Sequence, residues 1–354
     1  MRKIKSPYVS IFGWGIFLAG ALSFASCSTE ELIDNGQTDI PIKFGGVKTR
    51  VTHASEIKEF EAFAEMTYLV ETGNGYKESE DFIPLLANER VYRTGEDQDG
   101  DFTYVNTRYW VEERAFRFFG VHPYMGKNDQ NESIVTPTVF NDMYDGYTIP
   151  FTTPADASTD LMIAYTQNMT YNGITPEEVE MDFEHLLSKV SVKVAKNSQN
   201  ENNKVVVKSI TLSGATKSGV FNTAYSDAYT DNWSFPSTET ISFSPQPTDG
   251  GWILDVTSTE IINGLMLIPQ PITDGKIKIE ILYDYYNKSS DTTPQEEDLL
   301  AEAYIPVPAN RKWEAATQYS YNIVLAAEDN NIRFTTPTVK PWGTPQSAGT
   351  IIIN

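Results

Sequence analysis

KIKIEILYDYY, residues 276–286, sets Ile277, Ile279, Ile281, Tyr283 and Tyr285 against Lys276, Lys278, Glu280, Leu282 and Asp284. Alternation with a period of two is the pattern of a strand with one face buried, because successive side chains point to opposite faces of a sheet. The same pattern runs through IPIKF (Ile40, Ile42, Phe44), SKVSVKVA (Val190, Val192, Val194), YSYNIVL (Tyr319, Tyr321, Ile323, Leu325) and NIRF (Ile332, Phe334). Gly, Pro, Asn or Asp bounds each run, and Asp99-Gly100 and Asp274-Gly275 supply turn chemistry between them. Helical periodicity lasts no more than about two turns, its best examples being HASEIKEFEAFAE near residue 60 and PEEVEMDFEHLLSK near residue 180. Short strands, frequent turns and 19 prolines predict an all-β chain of antiparallel sheets packed face to face.

A length of 354 residues suits two domains of about 100–200 residues each. A hydrophobic fraction of 40% with 12% aromatics excludes disorder. SKVSVKVA opens a new series of strands after the polar NGITPEE, so the expected N-terminal β-sandwich spans residues 39–185 and the C-terminal one residues 186–354. The polar NSQNENNK that follows has the length of a hairpin loop, with a linker as the alternative.

At the N-terminus Arg2, Lys3 and Lys5 precede an almost uncharged run from Val9 to Ala25 that closes on the small residues Ala25 and Ser26. This is the layout of a secretory signal over residues 1–26, and the run falls short of the about 20 residues of a membrane-spanning helix. The sole cysteine, Cys27, can form no internal disulfide. Phe24-Ala25-Ser26-Cys27 resembles the lipobox of bacterial lipoproteins, which implies diacylglycerol on the Cys27 thiol and residues 27–38 as a lipidated tether; an ordinary cleavage site is the alternative. The acidic Ser28-Thr29-Glu30-Glu31 resembles the export tag that sends some Bacteroidetes lipoproteins to the outer face of the outer membrane.

Removing residues 1–26 takes away three basic residues and no acidic ones, so the net charge of −21 becomes −24. A chain this acidic does not suit nucleic acid, because phosphate binding needs clustered Lys and Arg. His53, His122 and His185 are widely spaced, and no HExxH or paired-cysteine pattern offers a metal site. GEDQDGDF at 95–102 lacks both the alternating ligand register and the closing Glu of a calcium loop, and reads as a hairpin turn. There is no G-x-S-x-G elbow and no phosphate loop. The sequence therefore assigns no catalytic residue, metal or cofactor, and the chain is read as a non-enzyme. Trp110, Tyr283, Tyr285 and Tyr286 could form a sugar platform, but aromatic residues at strand spacing more often fill a core.

Several motifs in order resemble the fimbrillin family of Bacteroidetes type V pili. They are the lipobox at Cys27, IPIKFGGVKTR, RYWVEERAFRFFGVHPY, DLMIAYTQ, DFEHLLSKVSVKV, LIPQP, WEAATQYSYNIVL and IRFTTPTVKPW. The resemblance implies two transthyretin-like β-sandwich domains in tandem and a pilus subunit that mediates cell adhesion. It implies an outer-membrane lipid anchor through Cys27 before processing, then a cut after Arg50 and before Val51 by an Arg-specific or trypsin-like surface protease, with Lys48 a nearby alternative. That cut would remove the strand carrying Ile40, Ile42 and Phe44 together with the lipid. The C-terminal Ile351, Ile352 and Ile353 would then act as donor strand for other copies of the chain or related pilus subunits at the cell surface. The alternatives are a surface glycan-binding lipoprotein of a polysaccharide-uptake system, or a non-polymerising pilus anchor or tip protein.

Overall fold

The computed structural model describes residues 37–342, apart from residue 46 and residues 50–56, 73–74, 79–81, 96–99, 125–135, 138–146, 172–177, 198–201, 224–228, 249 and 327–330. The signal segment, Cys27, Arg50, Val51 and Ile351 to Ile353 lie outside the described residues.

In chain order the first strands are β1 (Gln37–Pro41), β2 (Lys48–Thr49), β3 (Glu59–Thr72), β4 (Gly75–Glu78), β5 (Ile83–Arg93), β6 (Phe102–Thr103), β7 (Tyr109–Val111), β8 (Arg114–His122) and β9 (Thr136–Pro137). There follow β10 (Tyr147–Thr152), β11 (Met162–Tyr171), β12 (Asp182–His185), β13 (Ser188–Lys196), β14 (Lys204–Thr216), β15 (Ser218–Asn222), β16 (Trp233–Ser234), β17 (Thr240–Phe243) and β18 (Trp252–Ile253). The last are β19 (Thr259–Leu267), β20 (Gln270–Pro271), β21 (Lys278–Tyr286), β22 (Glu296–Tyr304), β23 (Lys312–Trp313), β24 (Thr317–Ala326), β25 (Asn331–Phe334) and β26 (Thr338–Pro341). Among the described residues the only helix is a 3-10 turn at Tyr229–Asn232, so the expected all-β class holds.

The C-terminal half packs two sheets over one core. One runs β19-β13-β24-β25 with β26 beside β24, the other β17-β14-β21-β22 with β18 beside β14. Val190, Val192 and Val194 of the first sheet meet Ile279, Ile281 and Tyr283 of the second, as period two requires. Most pairs are antiparallel, but β13 and β24 run parallel over Lys189–Lys196. More than a hundred residues separate these strands, which leaves ample chain for the crossover that parallel pairing needs. Lys276 N–H donates to the Thr273 carbonyl at 3.1 Å and Gly275 takes φ 74°, so the expected Asp274-Gly275 turn forms.

The N-terminal half is built on the sheet β2-β12-β11-β8-β3-β5-β6, with β4 beside β3. β8, the Phe60–Thr67 part of β3 and the Met162–Ala164 start of β11 are buried on both faces. Phe60, Ala62, Phe116, Phe118 and Met162 line one core, while Phe63, Phe119, Val121 and Ile163 line another. The described residues of the two segments with the strongest helical spacing contribute to β3 and β12; β3 is buried on both faces over Phe60–Thr67 and shows no clean alternation to read, while β12 alternates over only four residues. Gly120 permits the close cover of this sheet, because a Cβ there would sit 2.6 Å from Met181 and 3.0 Å from Phe183.

The second core also takes in Leu186, Leu187, Phe221, Trp233 and Ile268, and β10 pairs with β15 from Thr148–Asn222 to Thr152–Ser218. A small sheet and a core cluster therefore span residues 185 and 186, the point expected to separate the halves.

Burial pushes the hydroxyls of Tyr104, Tyr147, Tyr283, Tyr319 and Tyr321 above the ordinary phenol value, Tyr283 to about 12. Their folded pKa values exceed the unfolded value of about 10, so above that pH the folded state binds more protons than the unfolded state. Stability should hold below pH about 10 and fall as pH rises through the folded values. Denaturant midpoints measured from pH 8 upward check this, and a midpoint unchanged well above pH 10 would refute it.

Candidate functional site

The segment that follows the first described residue covers the outer core of the N-terminal half. β1 lies antiparallel to the three-residue β7, Gln37 opposite Val111 and Pro41 opposite Tyr109. Beyond β1, Ile42 N–H donates to the Arg108 carbonyl at 2.8 Å. Val179 N–H donates to the Lys43 carbonyl at 2.8 Å, and Gly45 N–H donates to the Val179 carbonyl at 3.1 Å. Residues 37–45 thus lie as an extended ribbon between β7 on one side and the Val179 segment on the other, where Phe44 and Val179 form a parallel bridge.

Alternation along this ribbon sets what it buries. Ile42 is 1% exposed and Phe44 4%, while Lys43 between them faces solvent. The Phe44 ring sits edge-on to Phe60, Tyr104 and Phe118, with centroids 5.5, 5.7 and 6.0 Å away. Each buried apolar side chain contributes about 1.5–3 kcal/mol, and each such ring pair adds roughly 0.5–1.5 kcal/mol. Ile40, the third residue of the pattern, is half-buried and packs against the same core.

Tyr104 joins side chain to backbone at this point. Its hydroxyl donates to the Ile42 carbonyl at 2.9 Å and accepts from the Arg108 N–H at 3.1 Å. Burial is the main cause of its raised pKa, partly offset by the hydrogen bond from Arg108, so the hydroxyl stays a donor well above neutral pH. Alongside the ribbon runs an open cavity of about 960 Å³ whose lining includes Asp39, Lys43, Arg93, Asp101 and Glu178. Mixed charge on this rim leaves the apolar attraction to the floor beneath Ile42 and Phe44.

Of the residues singled out from sequence, Ile40, Ile42 and Phe44 come together here in one ribbon. The groove walls, Tyr104, Arg108 and Val179, were not anticipated, since they lie in short segments without periodicity. The other candidate surface, an aromatic platform, does not form from the residues named for it. Trp110 packs on Phe116 with centroids 4.7 Å apart at 1% exposure, and Tyr283 is fully buried in the C-terminal core. Tyr285 packs against that same core, and Tyr286 lies beneath Lys204 Nζ at 3.8 Å. Between β5 and β6, Thr94 N–H donates to the Asp101 carbonyl at 3.0 Å, and residues 96–99 of GEDQDGDF lie outside the described residues.

Comparison with known proteins adds three findings. A family model described as Fimbrillin-like matches residues 49–342. A fimbrial protein from Bacteroides vulgatus shares 18% identity and a TM-score of 0.63 over 85% of this chain and 99% of its own. The tip fimbrial protein Mfa3 from Porphyromonas gingivalis, with a C-terminal truncation, shares 11% identity and a TM-score of 0.41 over 86% of this chain and 98% of its own. No curated protein matches.

The groove geometry orders the cost of substitutions along the ribbon. Phe44→Ala should destabilise by about 3–5 kcal/mol and Ile42→Ala by about 2–5 kcal/mol. Tyr104→Phe should cost about 1 kcal/mol, and Lys43→Ala less than about 0.5 kcal/mol. Urea unfolding of the four variants reads this order; equal losses at Lys43 and Phe44 would contradict the burial pattern.

Proposed function

Because the chain belongs to the fimbrillin-like family, we propose that it is a structural subunit of a cell-surface pilus, exported as a lipoprotein precursor and assembled by strand exchange. The observation that carries this reading is the ribbon of residues 37–45. It fills an apolar groove with Ile42 and Phe44, yet its backbone is held by a three-residue strand, one bridge and a few flanking hydrogen bonds.

In this reading acylated Cys27 holds the precursor to the outer membrane. An Arg-specific or trypsin-like surface protease then cuts after Arg50, before Val51, and the ribbon leaves with the lipid. Its departure would uncover the apolar groove floor and leave the Arg108 carbonyl and both polar groups of Val179 without their partners. Unpaired backbone of this kind is costly and templates an incoming strand. The donor comes from another copy or a related subunit, with Ile351, Ile352 and Ile353 as this chain's own donor strand, and adhesion is the outcome of assembly. The two expected domains, 39–185 and 186–354, act as one body through their shared sheet and core. The role is structural, not catalytic. Glycan binding is the weaker reading, because Trp110 and Tyr283 fill cores.

Mass spectrometry of the N-terminus of protein sheared from cells tests this, with native gels run alongside. A start at Val51 with laddered oligomers is the expected result. A start at acylated Cys27 with monomer alone would overturn the strand-exchange role and move the assignment to an anchor.

A further inference from the structure

The groove has a shape as well as an apolar character, and the shape selects among incoming strands. Resting on that reading, we infer that the strand seated in this groove after processing presents an aliphatic residue, any residue, an aromatic ring and then glycine.

The resident ribbon defines these four sites. At the first, Ile42 is buried under the hydrogen bond from the Tyr104 hydroxyl to its own carbonyl. At the second, Lys43 faces solvent and selects nothing. At the third, Phe60, Tyr104 and Phe118 surround the Phe44 ring edge-on at interplanar angles of 85°, 72° and 86°. Three rings arranged about one position favour a fourth ring, whose edges and faces complement theirs. A smaller branched side chain leaves part of that space empty and forfeits its contacts. At the fourth site, a Cβ on Gly45 would stand 2.6 Å from the Glu178 Cβ and 2.1 Å from its carboxylate oxygen, so any larger residue must displace Glu178.

Residues 343–354, GTPQSAGTIIIN, contain no aromatic ring, and aligning Ile351 with the Ile42 site sets Ile353 at the aromatic site and Asn354 at the glycine site. The run Ile351 to Ile353 therefore matches these sites less well than the resident ribbon does.

The test uses the full chain and three labelled peptides: residues 37–47, the same peptide with Phe44→Ile, and residues 344–354. Capture is read by native mass spectrometry on the full chain carrying Phe44→Ala, which weakens the resident ribbon, and on the unaltered chain under peptide excess in case that variant misfolds. The aromatic peptide should bind at least tenfold more tightly than the other two, equivalent to about 1.4 kcal/mol. Equal capture of all three, or preference for residues 344–354, would overturn the selectivity while leaving strand exchange standing. Capture of none by either protein would overturn strand exchange and the selectivity with it.

Discussion

Strand β8 is buried on both faces, and the rest of the N-terminal half is arranged to satisfy that constraint. Phe116 and Phe118 point to one side, Phe119 and Val121 to the other, and neither side can be left to water. On the second side the cover comes from β10, β15 and the start of the C-terminal half, with Phe151, Leu187 and Phe221 in contact with the same cluster. On the first side it comes from loops and short strands, the ribbon at residues 37–45 among them. The covers differ in kind because one is made by the body of the chain and the other by its leading segment.

That difference sets what can come away. The cover on the second side is knitted in by the five-residue pairing of β10 with β15 and by a core shared between the two halves. The ribbon contributes two well-buried side chains and pairs with short partners. Losing it would cost several kcal/mol, a large part of the about 5–15 kcal/mol that stabilises a typical domain. It would nevertheless leave the β3-β8-β11 pairing and the whole second core intact. The proposed strand exchange requires this combination of a valuable cover and a body that survives without it.

The strands with one buried face were legible from sequence. KIKIEILYDYY, SKVSVKVA and YSYNIVL bury the inward side chains that period two picks out, although Ser191 and Ala195 of β13 and Asp284 of β21 are buried as well. β3 was obscured because Glu61, Phe63, Glu65 and Thr67 are buried as well as Phe60, Ala62, Ala64 and Met66, which erases the alternation. Glu65 can lie there because Arg117 on β8 pairs with it, a long-range match that no local window contains. The parallel β13–β24 pairing escaped for the same reason: periodicity reports which face is buried, not which strand lies alongside. At the groove, IPIKF declared its inward residues, but the walls did not. Tyr104 and Val179 acquire their roles by meeting the ribbon, one across 62 residues of chain and the other across more than a hundred.

The two sides of the groove's chemistry also differ in what they can specify. Backbone bonds to Arg108 and Val179 would accept any extended segment running in the right direction, so they supply affinity without choice. Choice has to come from the side-chain sites, and here these are unequal. The Ile42 site is aliphatic and tolerant, since one methylene more or less changes binding by little more than about 1 kcal/mol. The Phe44 site is bounded by three rings whose orientations are already fixed by their own packing, Phe118 against Trp110 and Phe60 against Phe183. In the proposed strand exchange, a rigid aromatic socket beside a permissive backbone groove would combine strong strand capture with discrimination among otherwise similar strands.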